Sequence, residues 1–164
     1  MDYITHYDSP LGEITLSCDG ETLTGLFFDG QRYWGSTLTS HYENSKEIPV
    51  FEQTRRWLDI YFSGNEPDFT PPLSLHGTAF QQRVWESLLS VPYGETVSYG
   101  QLAKRLGVRS AQAIGGAVGR NPISIIVPCH RVIGANGELT GYAGGIERKR
   151  HLLRLEKNVK NLFF

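Results

Sequence analysis

The sequence predicts a two-domain α/β protein, in which a small antiparallel sheet with one helix precedes a mostly helical domain. Strand-like runs around turn residues fill the first part of the chain, and apolar residues at helical spacing fill the second. The irregular stretch GNEPDFTPP at 64–72 separates the two parts. We therefore place an N-terminal α/β domain at 1–74 and a C-terminal helix-turn-helix domain at 75–164.

Charge divides the chain at nearly the same place. Residues 1–79 hold 4 Lys and Arg against 12 Asp and Glu, a net charge of −8, whereas residues 80–164 hold 12 against 5, a net charge of +7. A basic half favours a polyanion as its partner. The alternative is that the two halves attract each other across a domain interface.

Composition limits the class of protein. At 164 residues and 40% hydrophobic content, the chain is long enough to bury a core. No apolar run approaches the roughly 18 residues of a membrane span, and the N-terminus lacks the basic and apolar regions of a signal peptide. The two cysteines, Cys18 and Cys129, lie far apart in sequence, which excludes a disulfide framework and favours a cytoplasmic location with Cys129 as a free thiol.

Three strands and a helix are expected in the N-terminal part. Residues 2–8 and 11–18 flank the turn SPLG at 9–12, and residues 21–28 continue the meander. Residues 50–62 predict a helix, because their apolar side chains recur at helical spacing.

The first helix of the C-terminal part begins at a capping box. Thr78 is followed three residues later by Gln81, the pattern in which each side chain binds the backbone amide of the other residue. An apolar stripe follows at helical spacing, and the sequence PYG at 92–94 is expected to end the helix.

The next two helices form a candidate helix-turn-helix. Ser98 and Gln101 make a second capping box, Gly107 ends that helix, and Ser110 caps a helix that starts AQAIGG at 111–116. An ordinary helical hairpin is the alternative. The second helix offers little that can read base edges, so it would contact DNA by close backbone approach with weak sequence preference.

The stretch ISIIVPCHRVIG at 123–134 is the strongest candidate for chemistry. Ile123–Val127 is expected to form a short buried strand that ends at Pro128, so that Cys129 lies where the chain leaves the core. The adjacent histidine and arginine, in a basic domain, favour a lowered thiol pKa and a reactive thiolate. A buried structural cysteine is the alternative.

Two other chemistries fit this stretch less well. The sequence has no C-x-x-C motif and no histidine at a ligand spacing from Cys129, so we expect no metal site. A papain-like hydrolase needs contact between Cys129 and a histidine, but neighbouring residues on an extended backbone point in opposite directions. Such a hydrolase would also need a residue to orient its histidine.

The motif PCHRV at 128–132 resembles the active-site motif of the O6-alkylguanine-DNA alkyltransferases, also called methylated-DNA–protein-cysteine methyltransferases. The surrounding sequence strengthens this resemblance, which is dense over 77–156 and weak over 1–76. The other matching segments are NP at 121–122, GYAGG at 141–145, LLRLE at 152–156, FQQRVW at 80–85, PYGET at 92–96 and Ser98-Tyr99.

The resemblance implies a fold and a mechanism. The fold is a ribonuclease-H-like N-terminal domain with a winged-helix-like C-terminal domain. Such proteins bind duplex DNA, rotate the damaged guanine into a pocket, and transfer a methyl or other alkyl group from its O6 irreversibly to a cysteine, so that each molecule acts once. The O4 position of thymine is a further candidate substrate.

The resemblance also implies catalytic roles. Cys129 is the nucleophile, His130 is its general base through a water, and Glu156 orients the imidazole. Tyr99 helps to rotate the nucleotide and protonates the leaving guanine, and Asn121 holds the bend around the active-site strand.

Binding roles follow from the same resemblance. The guanine pocket is formed by Tyr142, Ala143, Gly144 and Val132. The DNA contacts come from Gln112, Ser98, Ala111, Arg109, Arg120 and Gly115. The implied partner is double-stranded DNA that contains O6-alkylguanine, without a cofactor, a metal or a membrane. The protein is expected to be a monomer that associates with the nucleoid when bound to DNA.

Two positions depart from the family pattern. Gln112 stands where an arginine usually fills the space left by the rotated base, which predicts less efficient base extrusion. Arg109 and Arg120 are the candidates to compensate. Ala143 stands where some members carry a serine that donates to the guanine oxygen, although its backbone amide remains able to donate.

Two functions from other classes are the alternatives. A non-catalytic protein that recognises alkyl damage shares this fold, but its cysteine is typically replaced, whereas Cys129 is present here. A helix-turn-helix regulator is expected to carry base-reading side chains on its second helix, and this helix has few.

Overall fold

A mixed sheet forms the N-terminal half of the molecule. The computed structural model describes residues 2–38, 42–45 and 47–157. The strands are β1 (Asp2–Ser9), β2 (Gly12–Cys18), β3 (Leu23–Phe28) and β4 (Tyr42–Asn44). Their order in the sheet is β3-β2-β1-β4. The first three strands pair antiparallel as predicted, whereas β4, which the sequence did not indicate, is parallel to β1.

Helix α1 (Pro49–Phe62) packs against this sheet and begins one residue before the predicted start. Proline suits the first helical position, because an amide there would have no partner within the helix. The buried face of the helix follows helical spacing, as expected of an amphipathic helix. Its buried residues are Val50, Phe51, Thr54, Trp57, Leu58 and Tyr61.

The described residues of the C-terminal half form four α-helices and two short parallel strands. They are α2 (Ala79–Leu88), β5 (Val97–Ser98), α3 (Tyr99–Leu106), α4 (Ala111–Gly119), β6 (Val132–Ile133) and α5 (Ile146–Lys157). Both predicted capping boxes are present. Helix α2 ends before the predicted 92–94 turn, because the Ser90 and Val91 amides bind the Ser87 and Leu88 carbonyls in tighter turns.

Helices α3 and α4 confirm the two predicted helices and the glycine-containing turn between them. Gly107 ends α3 at a φ of 68°, a left-handed conformation that favours glycine. Ser110 caps α4 by accepting a hydrogen bond from the Ala113 amide at 3.0 Å. The Trp85 indole donates to the Ala117 carbonyl at 2.8 Å, which fixes α4 against α2.

The predicted strand over Ile123–Val127 is wrong. The segment 121–128 forms a compact buried turn in which Ile125 has a φ of 71°. The Asn121 side chain holds this turn, since its Nδ2 donates to the Val127 carbonyl at 2.7 Å and its Oδ1 accepts from the Ile123 amide at 3.0 Å. Its apolar residues are therefore buried without being extended, and burial alone does not distinguish the two conformations.

Strand β3 links the turn to the N-terminal sheet. The Leu26 amide donates to the Pro122 carbonyl at 2.9 Å, and the Ser124 amide donates to the Leu26 carbonyl at 3.2 Å. The linker residues 72–74 bind Leu23 of the same strand by the same pattern of two main-chain hydrogen bonds, one accepted and one donated by the linker. The edge of β3 is thereby paired, and the turn is fixed in position by main-chain hydrogen bonds.

The predicted domains share one core. Buried apolar residues form a cluster that includes both halves of the chain. The division into 1–74 and 75–164 stays a prediction, and the end of the second range, 158–164, lies outside the described residues. In the part of the chain that is described, each helix is too short or too polar to cross a membrane.

Candidate active site

Cys129 begins a 3₁₀ helix directly after the 121–128 turn and is only 4% exposed. Its thiol interacts electrostatically with Tyr99, Tyr142 and Lys149. Burial raises the pKa of the thiol, and the Asn121 amide and the Lys149 charge oppose this only in part. The expected lowering of the thiol pKa is therefore wrong for this state of the protein, and the thiol needs a base to ionise.

Glu156 on α5 is the centre of a buried network behind Cys129. His130 Nε2 donates to Oε2, and Arg131 donates from Nε to Oε1 at 2.7 Å and from Nη2 to Oε2 at 3.1 Å. The Tyr61 hydroxyl donates to Oε2 at 2.7 Å, and the Gly94 amide donates to Oε1 at 3.3 Å. Burial alone would raise the pKa of Glu156, but His130 and Arg131 hold it well below its usual range. The group is therefore an ionised carboxylate.

His130 is fully buried, and its second ring nitrogen is available for chemistry. Burial lowers the pKa of the imidazole more than Glu156 raises it, so the ring is neutral at pH 7. With the proton on Nε2 directed at Glu156, Nδ1 is an acceptor, and it has no hydrogen-bond partner among the described residues. The Tyr142 hydroxyl is likewise buried without a partner there. Buried polar atoms of this kind are usually satisfied by water or by a ligand.

Lys149 on α5 is a site residue that the sequence analysis missed. It is fully buried, and its Nζ donates to the Val132 carbonyl at 2.6 Å and to the Thr140 carbonyl at 2.8 Å. Burial lowers its pKa to about 8, so the amine is mostly charged at pH 7 and lowers the pKa of Cys129. A lysine at a position of α5 that faces the core was the feature of the sequence that could have indicated this residue. The buried face of α5 consists of Lys149, Leu152, Leu153 and Glu156.

A cleft of about 450 Å³ contains several predicted site residues. Cys129 does not itself line it, but two of the lining residues, Tyr99 and Tyr142, interact electrostatically with the buried thiol. The predicted residues that line it are Tyr99, Gly115, Arg120, Tyr142 and Ala143. Gly116 and Gly119 also line it, so the glycines of α4 form a wall without side chains. This gives the small residues of α4 a role beyond helix packing, since they leave room for a flat ligand.

The loop after β3 forms another part of the cleft, which the sequence analysis did not anticipate. The Arg32 amide donates to the Ala143 carbonyl at 2.9 Å. The Tyr33 ring lies near two guanidinium groups, 5.2 Å from that of Arg32 and 4.7 Å from that of Arg120. The N-terminal half therefore contributes side chains to the rim of the cleft.

Comparison with known proteins identifies the family. The descriptions "6-O-methylguanine DNA methyltransferase, ribonuclease-like domain" and "6-O-methylguanine DNA methyltransferase, DNA binding domain" match residues 3–75 and 79–158. The methylated-DNA–protein-cysteine methyltransferase of Mycobacterium tuberculosis strain H37Rv is 50% identical over 157 residues, which cover 93% of each chain.

The chain belongs to the 6-O-methylguanine DNA methyltransferase family.

Two further relatives support this family assignment. The methylated-DNA–protein-cysteine methyltransferase of Haemophilus influenzae is 44% identical, with 94% of this chain and 86% of that protein covered. The crystal structure of M. tuberculosis OGT in complex with DNA superposes with a TM-score of 0.86 at 49% identity, with 95% of this chain and 93% of that chain covered. The predicted α/β class, with its ribonuclease-like first domain, is thereby confirmed.

Two of the residues that the family resemblance assigned to the guanine pocket do not line the cleft. Val132 and Gly144 are buried, and the Val132 carbonyl is already bound by Lys149. A Cβ atom at Gly144 would lie 2.7 Å from the Tyr142 ring and 3.0 Å from the Phe28 ring. Glycine is therefore needed at this position for close packing behind the cleft.

Six residues were predicted to contact DNA from the family resemblance. They are spread over the surface of helices α3 and α4 and their flanking residues. Ala111, Gln112, Arg109 and Arg120 are exposed, whereas Gly115 is half-buried in the cleft wall. The Ser98 hydroxyl accepts from the Gln101 amide at 3.0 Å, so its first role is to cap α3.

The surface around helices α3 and α4 is strongly basic. Residues 96–137 contain no Asp or Glu. The exposed cations of this segment are Lys104, Arg105, Arg109 and Arg120. Such a surface attracts a phosphate backbone. Within the described residues, no three His, Cys, Asp or Glu side chains are grouped to hold a metal ion.

Proposed function

We propose that this protein repairs DNA by transferring a methyl or other alkyl group from O6 of guanine to Cys129, once per molecule. The observation that carries the proposal is the buried Cys129 thiol, which interacts with two residues of the cleft wall and is followed by a neutral His130 whose Nδ1 is free to accept a proton. Incubation with duplex DNA containing O6-methylguanine should increase the mass of the intact protein by one methylene group. An unchanged mass would overturn the proposal.

The chemistry is a displacement at the alkyl carbon. The Cys129 proton passes through a water to His130 Nδ1, and the thiolate sulfur bonds to the alkyl carbon. The bond from that carbon to O6 breaks, and its electron pair stays with the guanine. Glu156 stabilises the imidazolium that forms, and the positive charge of Lys149 favours the thiolate.

Tyr99 supplies the proton for the leaving guanine. Its hydroxyl lines the cleft and donates to the Thr140 carbonyl at a long 3.3 Å, so it can turn towards a base that enters the cleft. Burial raises its pKa, which keeps the hydroxyl protonated at neutral pH. Ala143 presents its backbone amide to the guanine oxygen, and the Arg32 amide holds that segment through the Ala143 carbonyl.

The partner is duplex DNA, and the protein acts on it as a monomer in the cytoplasm. Cys18 and Cys129 are both free, which fits a reducing compartment. Light scattering of the free protein should give the mass of one chain. The alternative functions are less well supported, because Cys129 is present and α4 carries few base-reading side chains.

DNA binding is expected to weaken steeply as salt rises. Each neutralised phosphate contributes about −0.9 to the slope of log K against log salt, so the four exposed cations of the helix-turn-helix predict a slope of about −3 to −4. Arg109→Gln should make the slope shallower by about one. Fluorescence anisotropy with undamaged duplexes measures this. Arg56→Gln, on α1, is the matched control. Salt-insensitive binding, or a strong preference for one sequence, would contradict the prediction.

Gln112→Arg is expected to accelerate repair of duplex DNA. This position of α4 is exposed, and by the family resemblance it corresponds to the residue that fills the space vacated by a rotated base. Arginine fills that space better than glutamine and attracts phosphates. Unstacking a base costs a few kcal/mol, so stabilising the extruded state matters. Single-turnover rates on methylated duplex measure the effect.

The free base O6-benzylguanine is the control for Gln112→Arg, because it requires no base extrusion. Both proteins should react with it at the same rate. An unchanged duplex rate would mean that another residue fills the space, with Arg109 the first candidate. An equal change in both assays would mean that Gln112 acts on the cleft or the fold.

A further inference from the structure

Tyr61 connects the N-terminal half of the chain to the catalytic network. It lies on α1, 95 residues away in sequence from Glu156, and its side chain is fully buried. Its hydroxyl donates to Glu156 Oε2 at 2.7 Å. This is the same carboxylate oxygen that accepts from His130 Nε2. The two donors therefore share one acceptor atom.

Aromatic packing holds the Tyr61 ring in place. The Trp57 ring stacks on it with centroids 5.2 Å apart, and Phe62 and Tyr93 contact it edge-on at 5.4 and 6.2 Å. Burial and the Glu156 charge raise the pKa of Tyr61 well above its usual value, so the hydroxyl keeps its proton. Tyr61 is thus a hydrogen-bond donor to Glu156 at neutral pH.

We propose that Tyr61 is a positioning residue for alkyl transfer, whose hydroxyl fixes the Glu156 carboxylate and limits how strongly its Oε2 atom attracts the His130 proton. The N-terminal half of the chain then contributes a side chain that acts on the proton relay, although that side chain does not itself transfer a proton. The inference rests on the function proposed above, because it assigns a task to the same relay. The loss of the hydroxyl should therefore change the proton affinity of His130.

The direction of that change follows from the shared oxygen. A hydroxyl that donates to Oε2 withdraws negative charge from the atom that His130 faces. Without it, Glu156 stabilises the imidazolium more strongly, and His130 becomes easier to protonate. The other charged groups that act on His130 are Arg131 of the 3₁₀ helix and Lys149 of α5, and both remain in place. A protonated His130 cannot accept the Cys129 proton.

The test compares Tyr61→Phe with Tyr93→Phe. Phenylalanine keeps each ring and removes one hydroxyl. The Tyr93 hydroxyl is also buried in this aromatic cluster but has no hydrogen-bond partner among the described residues, so it is the matched control. Nitrogen-15 NMR of the His130 ring across a pH titration reports its protonation, and the single-turnover rate on O6-benzylguanine over the same range reports its effect on transfer.

In Tyr61→Phe, the protonation midpoint of His130 should rise by about one pH unit, and the acid limb of the rate profile should move to higher pH by the same amount. Tyr93→Phe should match the wild type. An unshifted His130 midpoint in Tyr61→Phe, or a rate lowered equally at every pH, would overturn the proposal. If the wild-type protein does not react with O6-benzylguanine or methylated DNA, the proposed function fails, whereas the NMR midpoints still decide whether Tyr61 governs His130.

Discussion

Cys129→Ser is expected to abolish alkyl transfer, while Cys18→Ala leaves the rate unchanged. A serine hydroxyl ionises far less readily than a thiol, so His130 cannot generate a competent nucleophile from it. Cys18 is also buried, in β2, but it lies outside the network around Glu156. Burial and nearby aspartates raise its pKa. The two cysteines therefore differ in their neighbours and not in their exposure.

Peptide mass mapping after reaction with methylated duplex DNA measures this difference. The added methylene should be found on the peptide that contains Cys129 and not on the peptide that contains Cys18. Binding of Cys129→Ser to undamaged DNA should equal that of the wild type, which separates loss of chemistry from loss of folding. Transfer by Cys129→Ser at the wild-type rate, or alkylation of Cys18, would refute the assignment.

His130→Asn is expected to slow single-turnover transfer by about 10²–10⁴-fold, the usual contribution of a general base. The raised pKa of Cys129 makes this dependence strong, because the thiol is neutral without a base. The substitution leaves the hydrogen bonds between Arg131 and Glu156 in place, so the fold should persist. DNA affinity should also be unchanged, and an unchanged transfer rate would show that His130 is not the base.

Glu156→Gln is expected to slow transfer and also to destabilise the fold. Neutralising Glu156 leaves the buried guanidinium of Arg131 without its charge partner, a change that typically costs about 3–5 kcal/mol. His130→Asn is therefore the cleaner test of catalysis, and Glu156→Gln is the test of the network. Chemical denaturation measures the loss of stability. A fully stable Glu156→Gln protein would show that the network has no structural role.

The pH dependence of stability provides a second readout of Glu156. Its pKa is lowered in the folded protein, so its stabilising contribution is present above the unfolded value of 4.5 and is lost as the pH falls further. Wild-type stability should therefore decrease below about pH 4.5 more steeply than that of Glu156→Gln. Equal slopes in the two proteins would contradict the lowered pKa.

Local sequence patterns determined most of the helices, and the family resemblance predicted which residue is the nucleophile. The capping boxes at Thr78 and Ser98, and the glycine at 107, act between residues three or four apart, so the chain itself contains the full interaction. The resemblance of the PCHRV motif and its neighbouring segments to the alkyltransferase family implied roles for Cys129, His130 and Glu156, and the structure brings the last two together. Interactions between residues close together in the chain can be predicted directly from the sequence.

The tertiary structure decided the conformation that presents Cys129. The run Ile123–Val127 has the composition of a strand, yet the Asn121 amide and main-chain bonds to Leu26 fold it into a turn. A β-branched run favours extension only when a neighbouring strand is available along its length. Here β3 pairs with one end of the segment, and the Asn121 side chain binds the Ile123 amide and the Val127 carbonyl.

The contacts of Tyr61, Lys149 and Arg32 also depended on the tertiary structure. Tyr61 reaches Glu156 from the N-terminal half of the chain, and the Arg32 amide binds the Ala143 carbonyl in the wall of the cleft. Lys149 pairs with carbonyls that only the folded backbone places beside it. The sequence by itself therefore determined the family of this protein, through its motifs, and most of its helices, through short-range signals. Which distant side chains support that chemistry was decided by the packing of separate elements, because their meeting depends on the positions of whole helices and strands.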